Sequence, residues 1–321
     1  MRSIALTGTF ILAVAAASAS LAQSPGVMAK TAAPEAQFPP PGRLVKVEGD
    51  RRLHVLCKGE DRGPTVIIEA GAAASSPLYW RAQDEVAKVA HVCVYDRAGL
   101  GWSDPASGPR TLAQRADDLH ALLRKGRIRG PFILAGHSMG GLLVRVYAKR
   151  YPRDVIGLVL VEPSEEVFNG SPENLARTRA NVTQMSGAVK AAEAGVEMTM
   201  LKLPKAPPEQ VVGLTPEALR AGQDDLATMA RLPEQIAALG GLGTLEDLPL
   251  VVISRGKPDR GMSEAMNEGW LAAHRRLAAL SSRATHITAS NSGHLVNLDE
   301  PARFAEAVQV ILAASGSKPS R

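Results

Sequence analysis

Short runs rich in β-branched residues alternate with amphipathic segments along most of this chain of 321 residues. The runs have the length and composition of buried strands, whereas segments such as 111–125 repeat their leucines at helical spacing. Strands that alternate with helices predict an α/β fold, here a mostly parallel eight-stranded sheet with helices on both faces. The eight predicted strands are 43–48, 52–58, 65–69, 91–95, 132–135, 155–161, 248–254 and 284–289.

The alternation stops over residues 163–247, where no strand is predicted. This segment is rich in Ala, Met and Glu, with helix-like stretches at 173–194 and 216–239 separated by prolines. A structureless loop of that length is improbable in a compact domain. We therefore expect a helical cap at 163–247, inserted into a core formed by 43–162 and 248–321.

The N-terminus has the pattern of a secretory signal peptide. Met1-Arg2 precedes an apolar stretch, and small residues lead to Ala22, which predicts a signal peptide at 1–22. An uncleaved membrane anchor is the alternative. Residues 23–42 contain five prolines and are expected to form an extended Pro/Ala-rich linker. We expect an exported protein, periplasmic or secreted, with no stable membrane span in the mature chain.

The charge pattern indicates no macromolecular partner. The formal net charge is +5, but the Lys and Arg residues are scattered and opposed by acidic residues. No basic stripe of the kind that binds nucleic acid is present in the sequence. The two cysteines lack metal-ligand spacing. No metal or organic cofactor is expected from the sequence. The oligomeric state stays open.

A serine between two glycines is the strongest chemical signal. Ser138 stands in LAGHSMGG with Gly136 and Gly140 two residues to either side, between a predicted strand and a predicted helix. So sharp a turn forces the serine into a strained backbone conformation, and the glycines relieve the crowding. The hydroxyl is then raised to the N-terminus of the next helix, where a developing negative charge is favoured. The pattern predicts a nucleophile.

Four motifs together resemble the α/β-hydrolase superfamily over residues 43 to about 314. They are EAGAAASS, YDRAGLGWSDP, LAGHSMGG and SGHLVNLDEP. The set is similar to that of a group of bacterial exported serine hydrolases. The resemblance implies a nucleophile elbow at Ser138 and a catalytic triad in the chain order Ser, acid, His.

This chain order indicates which histidine is the base and leaves two candidates for the acid. His294 in Ser-Gly-His is the expected base, whereas His137 should point away from the serine and pack around the elbow. Two carboxylates compete as the acid. Asp259 lies after the seventh predicted strand, where most family members carry the acid, and it is favoured. Glu162, after the sixth strand, is the alternative, at a position that some α/β-hydrolases use.

Two backbone N–H groups are expected to form the oxyanion hole. They are those of Met139, directly after the nucleophile, and of Ala72, in the loop after the third strand. Ala70 stands where many relatives have histidine, a departure that leaves a backbone donor in place. Asp96 and Arg97 of the DRAG motif are expected to brace loops near the site.

Cys57 and Cys93 form a possible disulfide. They lie in the second and fourth predicted strands, which are neighbours in the fold as the family shows it. Export would place them in an oxidising compartment. Two buried thiols that act as small hydrophobic side chains are the alternative.

These features favour a serine esterase that cleaves a carboxylic ester, or a related acyl bond, of a small apolar substrate. An acyltransferase, an amidase or peptidase with the same triad, and a non-catalytic ligand-binding protein are the alternatives. An epoxide hydrolase or dehalogenase would need a carboxylate at Ser138. Specificity is expected to lie in the cap, where methionines either line an adaptable pocket or pack between helices. They are Met185, Met198, Met200 and Met229.

Overall fold

The strands form one eight-stranded sheet in a computed structural model that describes residues 39–195, 215–259 and 262–316. The predicted signal peptide and most of the predicted linker lie outside these residues. The strands are β1 Arg43–Glu48, β2 Arg51–Lys58, β3 Thr65–Glu69, β4 His91–Tyr95, β5 Phe132–His137, β6 Val155–Val161, β7 Leu250–Arg255 and β8 Ala284–Ala289. Their order in the sheet is β1-β2-β4-β3-β5-β6-β7-β8.

Helices connect the strands and cover both faces of the sheet. They are α1 Trp80–Val86, α2 Leu112–Lys125, α3 Met139–Arg150, α4 Glu166–Asn169, α5 Pro172–Glu193, α6 Pro216–Met229, α7 Leu232–Ala238, α8 Glu264–Ala278, α9 Val296–Asp299 and α10 Ala302–Ala314. Side chains of α2, α3 and α8 pack on one face, and those of α1 and α10 on the other. Successive residues of a strand face opposite sides of the sheet. Ile67 packs with the side chains of α2, α3 and α8, whereas Val66 and Ile68 pack with those of α1 and α10.

The pairing confirms the predicted α/β class. β1–β2 and β2–β4 are antiparallel, and the pairs from β3–β4 through β7–β8 are parallel. β5 runs two residues beyond its predicted end because Gly136 pairs with Glu69 and His137 with Val161. The carboxyl ends of β3, β5, β6 and β7 therefore meet at one edge of the sheet, the place where open α/β sheets bind ligands.

The predicted helical cap is formed by α4 to α7, between β6 and β7. α5 packs along α6 through a small apolar cluster that includes Met185, Val189 and Leu219 and reaches Ala73 in the core. Residues 196–214, with Met198 and Met200, lie outside the described part of the chain. No helix that the structure describes is both long enough and apolar enough to span a bilayer.

Cys57 and Cys93 are directly opposite each other in the antiparallel β2–β4 pair and form a disulfide. This pairing agrees with the possible disulfide rather than with the alternative of two free thiols. The side chain of His91 lies near both cysteines, and these three residues are of types that can bind a metal ion. Both sulfur atoms are, however, engaged in the disulfide.

Reduction of this disulfide is expected to lower the free energy of unfolding. The bond closes a loop with a sequence separation of 36 residues, for which the loss of chain entropy in the unfolded state corresponds to about 3–4 kcal/mol. Urea denaturation of the wild type with and without dithiothreitol measures the difference. The double variant Cys57→Ala/Cys93→Ala is the control and should not respond to dithiothreitol. Equal stability of the oxidised and reduced wild type would contradict the expectation.

Candidate active site

Ser138 occupies a strained turn between β5 and α3. Its backbone angles are φ 55° and ψ −121°, in a region that residues with a side chain seldom adopt. A Cβ on Gly136 would lie 2.3 Å from the Gly140 carbonyl oxygen, and one on Gly140 would lie 2.4 Å from the Glu69 carbonyl oxygen. Both glycines are therefore required by close backbone approach, as the sequence predicts.

Backbone hydrogen bonds place Glu162 beside this turn. The Ser138 N–H donates to the Val161 carbonyl at 3.0 Å, and the Glu162 N–H donates to the Ile253 carbonyl at 2.8 Å. The Ser164 N–H donates to the Ser138 carbonyl at 2.9 Å. The residue after β6 is thus fixed next to the residue after β5 by the continuation of the parallel ladder.

His294 reaches the same place from the turn after β8. Its Nδ1 lies 3.1 Å from Glu162 Oε2, and both side chains are buried. Because an ionised carboxylate only accepts hydrogen bonds, Nδ1 carries the proton. The imidazole ring lies 4.7 Å, between centroids, from the ring of His137, the residue before Ser138. The predicted base therefore lies beside the residue that precedes the predicted nucleophile.

Three further hydrogen bonds hold the Glu162 carboxylate. Arg255 donates its backbone N–H to Oε1 at 2.7 Å and its Nη1 to Oε2 at 3.0 Å, and Trp270 Nε1 donates to Oε2 at 2.9 Å. Burial favours the neutral acid, but the hydrogen bond from His294 and the nearby positive charges outweigh it and lower the pKa of Glu162 to about 2. The carboxylate is therefore ionised at neutral pH.

Asp259 does not take the place that the sequence favours for it. Its Oδ1 accepts the backbone N–H of His294 at 3.1 Å, and its Oδ2 pairs with Arg255 Nη1 at 2.9 Å. The ring nitrogen Nδ1 instead faces Glu162. The preference for Asp259 is corrected for a physical reason: its two carboxylate oxygens are engaged by the His294 backbone N–H and the Arg255 guanidinium, whereas the ring nitrogen of His294 bonds to Glu162.

The two predicted oxyanion donors, Ala72 and Met139, lie near Ser138 in the fold. Both residues line one cavity together with Ser138. Met139 begins α3, so its N–H is one of the N-terminal amides of that helix. Ala72 follows β3, the strand next to β5.

Tyr79 and His137 link the loop after β3 to His294 through hydrogen bonds. The sequence analysis did not predict the contribution of Tyr79. The Tyr79 hydroxyl accepts the Gly71 N–H at 2.8 Å and donates to His137 Nδ1 at 2.8 Å. His137 Nε2–H donates to the His294 carbonyl at 2.8 Å. Burial and the charge of His294 lower the pKa of His137 to about 3, so its ring is neutral and Nδ1 can accept. No local motif marks Tyr79.

The cavity beside Ser138 lies between the core and the cap and has a volume of about 130 Å³. That is close to the ~150 Å³ of an engineered protein cavity that holds benzene. Two of the cap methionines are in its wall, and no charged side chain is among its described lining residues. The lining residues are Ala72, Ala73, Ser138, Met139, Ser164, Asn169, Thr178, Asn181, Gln184, Met185, Ala188, Leu226 and Met229.

Another buried histidine lies next to Glu162. His274 on α8 accepts at Nδ1 from the Ser254 hydroxyl at 2.7 Å and has Nε2 3.2 Å from the Pro163 carbonyl oxygen. Its Nδ1 is 3.7 Å from Glu162 Oε1. Burial lowers the pKa of His274 to about 4, against the partly compensating charge of Glu162.

Comparison with known proteins agrees with this fold. The sequence profile described as the alpha/beta hydrolase family matches residues 66–307. The chain belongs to this family. It is 25% identical over 252 residues to the uncharacterized protein YqjL of Bacillus subtilis (strain 168), which covers 78% of this chain and 83% of YqjL. Two other curated relatives are matched over 18% and 37% of their length.

Solved structures also resemble this α/β-hydrolase. A thermophilic esterase from Thermogutta terrifontis has a TM-score of 0.60 at 21% identity, covering 85% of this chain and 98% of the esterase. The enol-lactonase from Burkholderia xenovorans LB400 has a TM-score of 0.59 at 20% identity, covering 84% and 99% respectively. At these identities the likeness establishes the common fold.

The buried His274 is expected to make the stability of this α/β-hydrolase depend on pH. Between its unfolded pKa of about 6.5 and its folded pKa of about 4, the unfolded chain binds a proton that the folded chain does not. The free energy of unfolding therefore falls as the pH falls through this window, by up to about 1.4 kcal/mol per pH unit for this group. His274→Asn should show a correspondingly shallower slope in urea denaturation from pH 6.5 to 4.5. Parallel curves would contradict this assignment.

Proposed function

We propose that this α/β-hydrolase is a serine esterase, which cleaves a carboxylic ester or related acyl bond of a small uncharged substrate through an acyl-enzyme on Ser138. The observation that carries the proposal is the hydrogen bond of His294 Nδ1 to the buried Glu162 carboxylate, at the strained turn that holds Ser138. A serine hydroxyl needs such an oriented base to become a nucleophile.

In the first half of the reaction, Ser138 Oγ attacks the carbonyl carbon of the ester while His294 Nε2 takes its proton. The Glu162 carboxylate stabilises the resulting imidazolium and keeps Nδ1 protonated, without itself accepting the proton. The N–H groups of Ala72 and Met139 stabilise the tetrahedral oxyanion. The C–O bond then breaks, and the imidazolium gives its proton to the departing alcohol.

In the second half, His294 takes a proton from a water molecule as the water oxygen attacks the acyl carbon. A second tetrahedral intermediate forms in the same oxyanion hole. Its collapse returns the proton to Ser138 Oγ and releases the carboxylic acid. The low pKa of Glu162 suits this cycle, because its negative charge is present whenever the imidazole becomes positive.

The cavity supports a small, uncharged acyl group. Methionine, leucine and alanine side chains supply most of its wall, and its polar lining groups are hydroxyls and amides rather than ions. A charged acyl chain would lose its hydration there without finding a counter-charge. The names of two structural neighbours, an esterase and an enol-lactonase, agree with this reaction class.

We further propose that the protein acts outside the cytoplasm. The charge and apolar pattern of residues 1–22 is that of a signal peptide. The Cys57–Cys93 disulfide agrees with an oxidising compartment, in which such bonds persist.

Active-site labelling and ester turnover test the proposed reaction. The wild type should react with a fluorophosphonate probe and hydrolyse p-nitrophenyl acetate and butyrate, with kcat/KM falling for octanoate because the cavity is small. Ser138→Ala should lose both labelling and turnover with an unchanged melting temperature. Labelling that survives in Ser138→Ala would exclude this nucleophile. Labelling of the wild type without turnover of any ester would indicate transfer to an acceptor other than water.

The two carboxylates near His294 are expected to differ in their effect on turnover. Glu162→Gln removes the charge that stabilises the imidazolium and should lower kcat by about 10³–10⁴-fold. Asp259→Asn leaves that hydrogen bond in place and should lower kcat by less than about 10-fold. The comparison uses p-nitrophenyl acetate at pH 8, with melting temperatures to confirm folding. The opposite ranking would restore Asp259 as the triad acid.

A further inference from the structure

Residues 70–73, called the oxyanion loop below, are held in place by hydrogen bonds from an arginine to their backbone carbonyls. Arg97, which follows β4, donates Nη1 to the Ala70 carbonyl at 2.7 Å and Nη2 to the Gly71 carbonyl at 2.6 Å. A trans peptide is planar, and its C=O and N–H groups point in opposite directions. Fixing the Gly71 carbonyl on Arg97 therefore turns the N–H of Ala72, in the same peptide group, away from the arginine.

A residue of the cap also bonds to this loop. Asp225, on α6, accepts the Ala73 N–H at 2.9 Å and Arg97 Nη2 at 2.6 Å, both at Oδ2. Asp225 Oδ2 therefore fixes the peptide group between Ala72 and Ala73 directly. It also fixes the Arg97 guanidinium, which in turn holds the peptide group between Gly71 and Ala72. The orientation of the Ala72 N–H depends on a residue of the cap that does not line the cavity.

Helix α6 packs closely against the oxyanion loop. Ala73 has φ 56°, in the left-handed region. A Cβ on Gly222, in the middle of α6, would lie only 2.7 Å from Ala73 Cβ. Gly222 is therefore the residue that lets α6 approach near enough for the Asp225 carboxylate to reach the Ala73 N–H.

Burial makes this arrangement rigid. Arg97, Asp225 and Glu69 all have exposed fractions of 4% or less. Arg97 Nη1 also pairs with Glu69 at 2.7 Å, and Arg115 Nη2 lies 3.2 Å from Asp225 Oδ1. An unpaired charge here would be costly, so the loop, Arg97 and α6 are constrained to one relative position.

We propose that Asp225 is a positioning residue that completes the oxyanion hole, so that the Ala72 N–H is correctly aimed only when α6 is docked on the loop. The inference rests on the proposed function, in which the Ala72 N–H stabilises the oxyanion. It makes the cap a part of the catalytic apparatus as well as a wall of the substrate cavity.

The first test compares Asp225→Asn with Asp224→Asn. Asp224 is the adjacent residue of the same helix and pairs with the Arg110 N–H and with Arg115, but none of its hydrogen bonds in the described structure reaches the loop. Asp225→Asn should lower kcat for p-nitrophenyl acetate by about 10²-fold, the range for loss of an oxyanion donor, with KM changed less than about 3-fold. Its affinity for a trifluoromethyl ketone, which must form a tetrahedral adduct, should fall in parallel. Asp224→Asn should keep both quantities within about 3-fold of the wild type.

The second test displaces the loop without changing any charge. Gly222→Ala places a methyl group against Ala73, whereas Gly187→Ala adds the same group to α5 where nothing lies within 4 Å. Both changes favour the helix to the same degree. We expect kcat to fall at least about 10-fold in Gly222→Ala alone. This pair decides the question if Asp225→Asn does not fold.

Amide hydrogen exchange of residues 70–74 provides a readout that does not depend on activity. Exchange should be faster in Asp225→Asn and Gly222→Ala than in the two controls. Unchanged exchange, or faster exchange with unchanged kcat, would overturn the inference while the esterase proposal stands. A wild type that turns over no ester refutes the esterase proposal, and the exchange comparison then still decides whether α6 positions the loop.

Discussion

A fully buried carboxylate, that of Glu162, organises the carboxyl edge of the sheet. Its exposed fraction is 0%, and an unpaired charge in such a place would cost several kcal/mol. Arg255, Trp270 and His294 compensate it with four hydrogen bonds. These partners come from β7, α8 and the turn after β8, so the need to pair one charge determines how three separate segments meet. The orientation of the proposed base follows from that pairing rather than from the turn in which His294 lies.

The same edge concentrates backbone strain. In the described part of the chain, five non-glycine residues have positive φ, and three of them are Ala73, Ser138 and Glu162. Each strained conformation costs about 1–3 kcal/mol and persists only where its surroundings fix it. Here the surroundings are the β5 and β6 ladders, the crowded glycines of the elbow, and the hydrogen bond from Ala73 to Asp225. Two of these three residues, Ala73 and Ser138, line the cavity, and the third carries the buried carboxylate that bonds to His294.

The fold and the strained turn at Ser138 could be predicted from sequence because both depend on local patterns. β-branched runs give the strands, and the glycine spacing around Ser138 gives the turn. The carboxylate that bonds to His294 could not be chosen that way, since a motif fixes where Asp259 lies along the chain but not which carboxylate meets the imidazole in the fold. The contacts of Tyr79 with His137 and of Arg97 with Asp225 join residues 58 and 128 positions apart. A single sequence carries no periodicity that reports such pairings.

In the proposed mechanism, oxyanion stabilisation and substrate selection both depend on α6. Leu226 and Met229 of α6 line the cavity, whereas Asp225, next to Leu226, bonds to the loop that carries the proposed oxyanion donor. A displacement of α6 that enlarges the cavity must also move the Asp225 carboxylate, because the helix backbone is stiff over so short a distance. Changes in the cap that admit a larger acyl group would therefore also loosen the loop. The proposed selectivity for a small substrate and the proposed stabilisation of the oxyanion are thus two consequences of the same close packing.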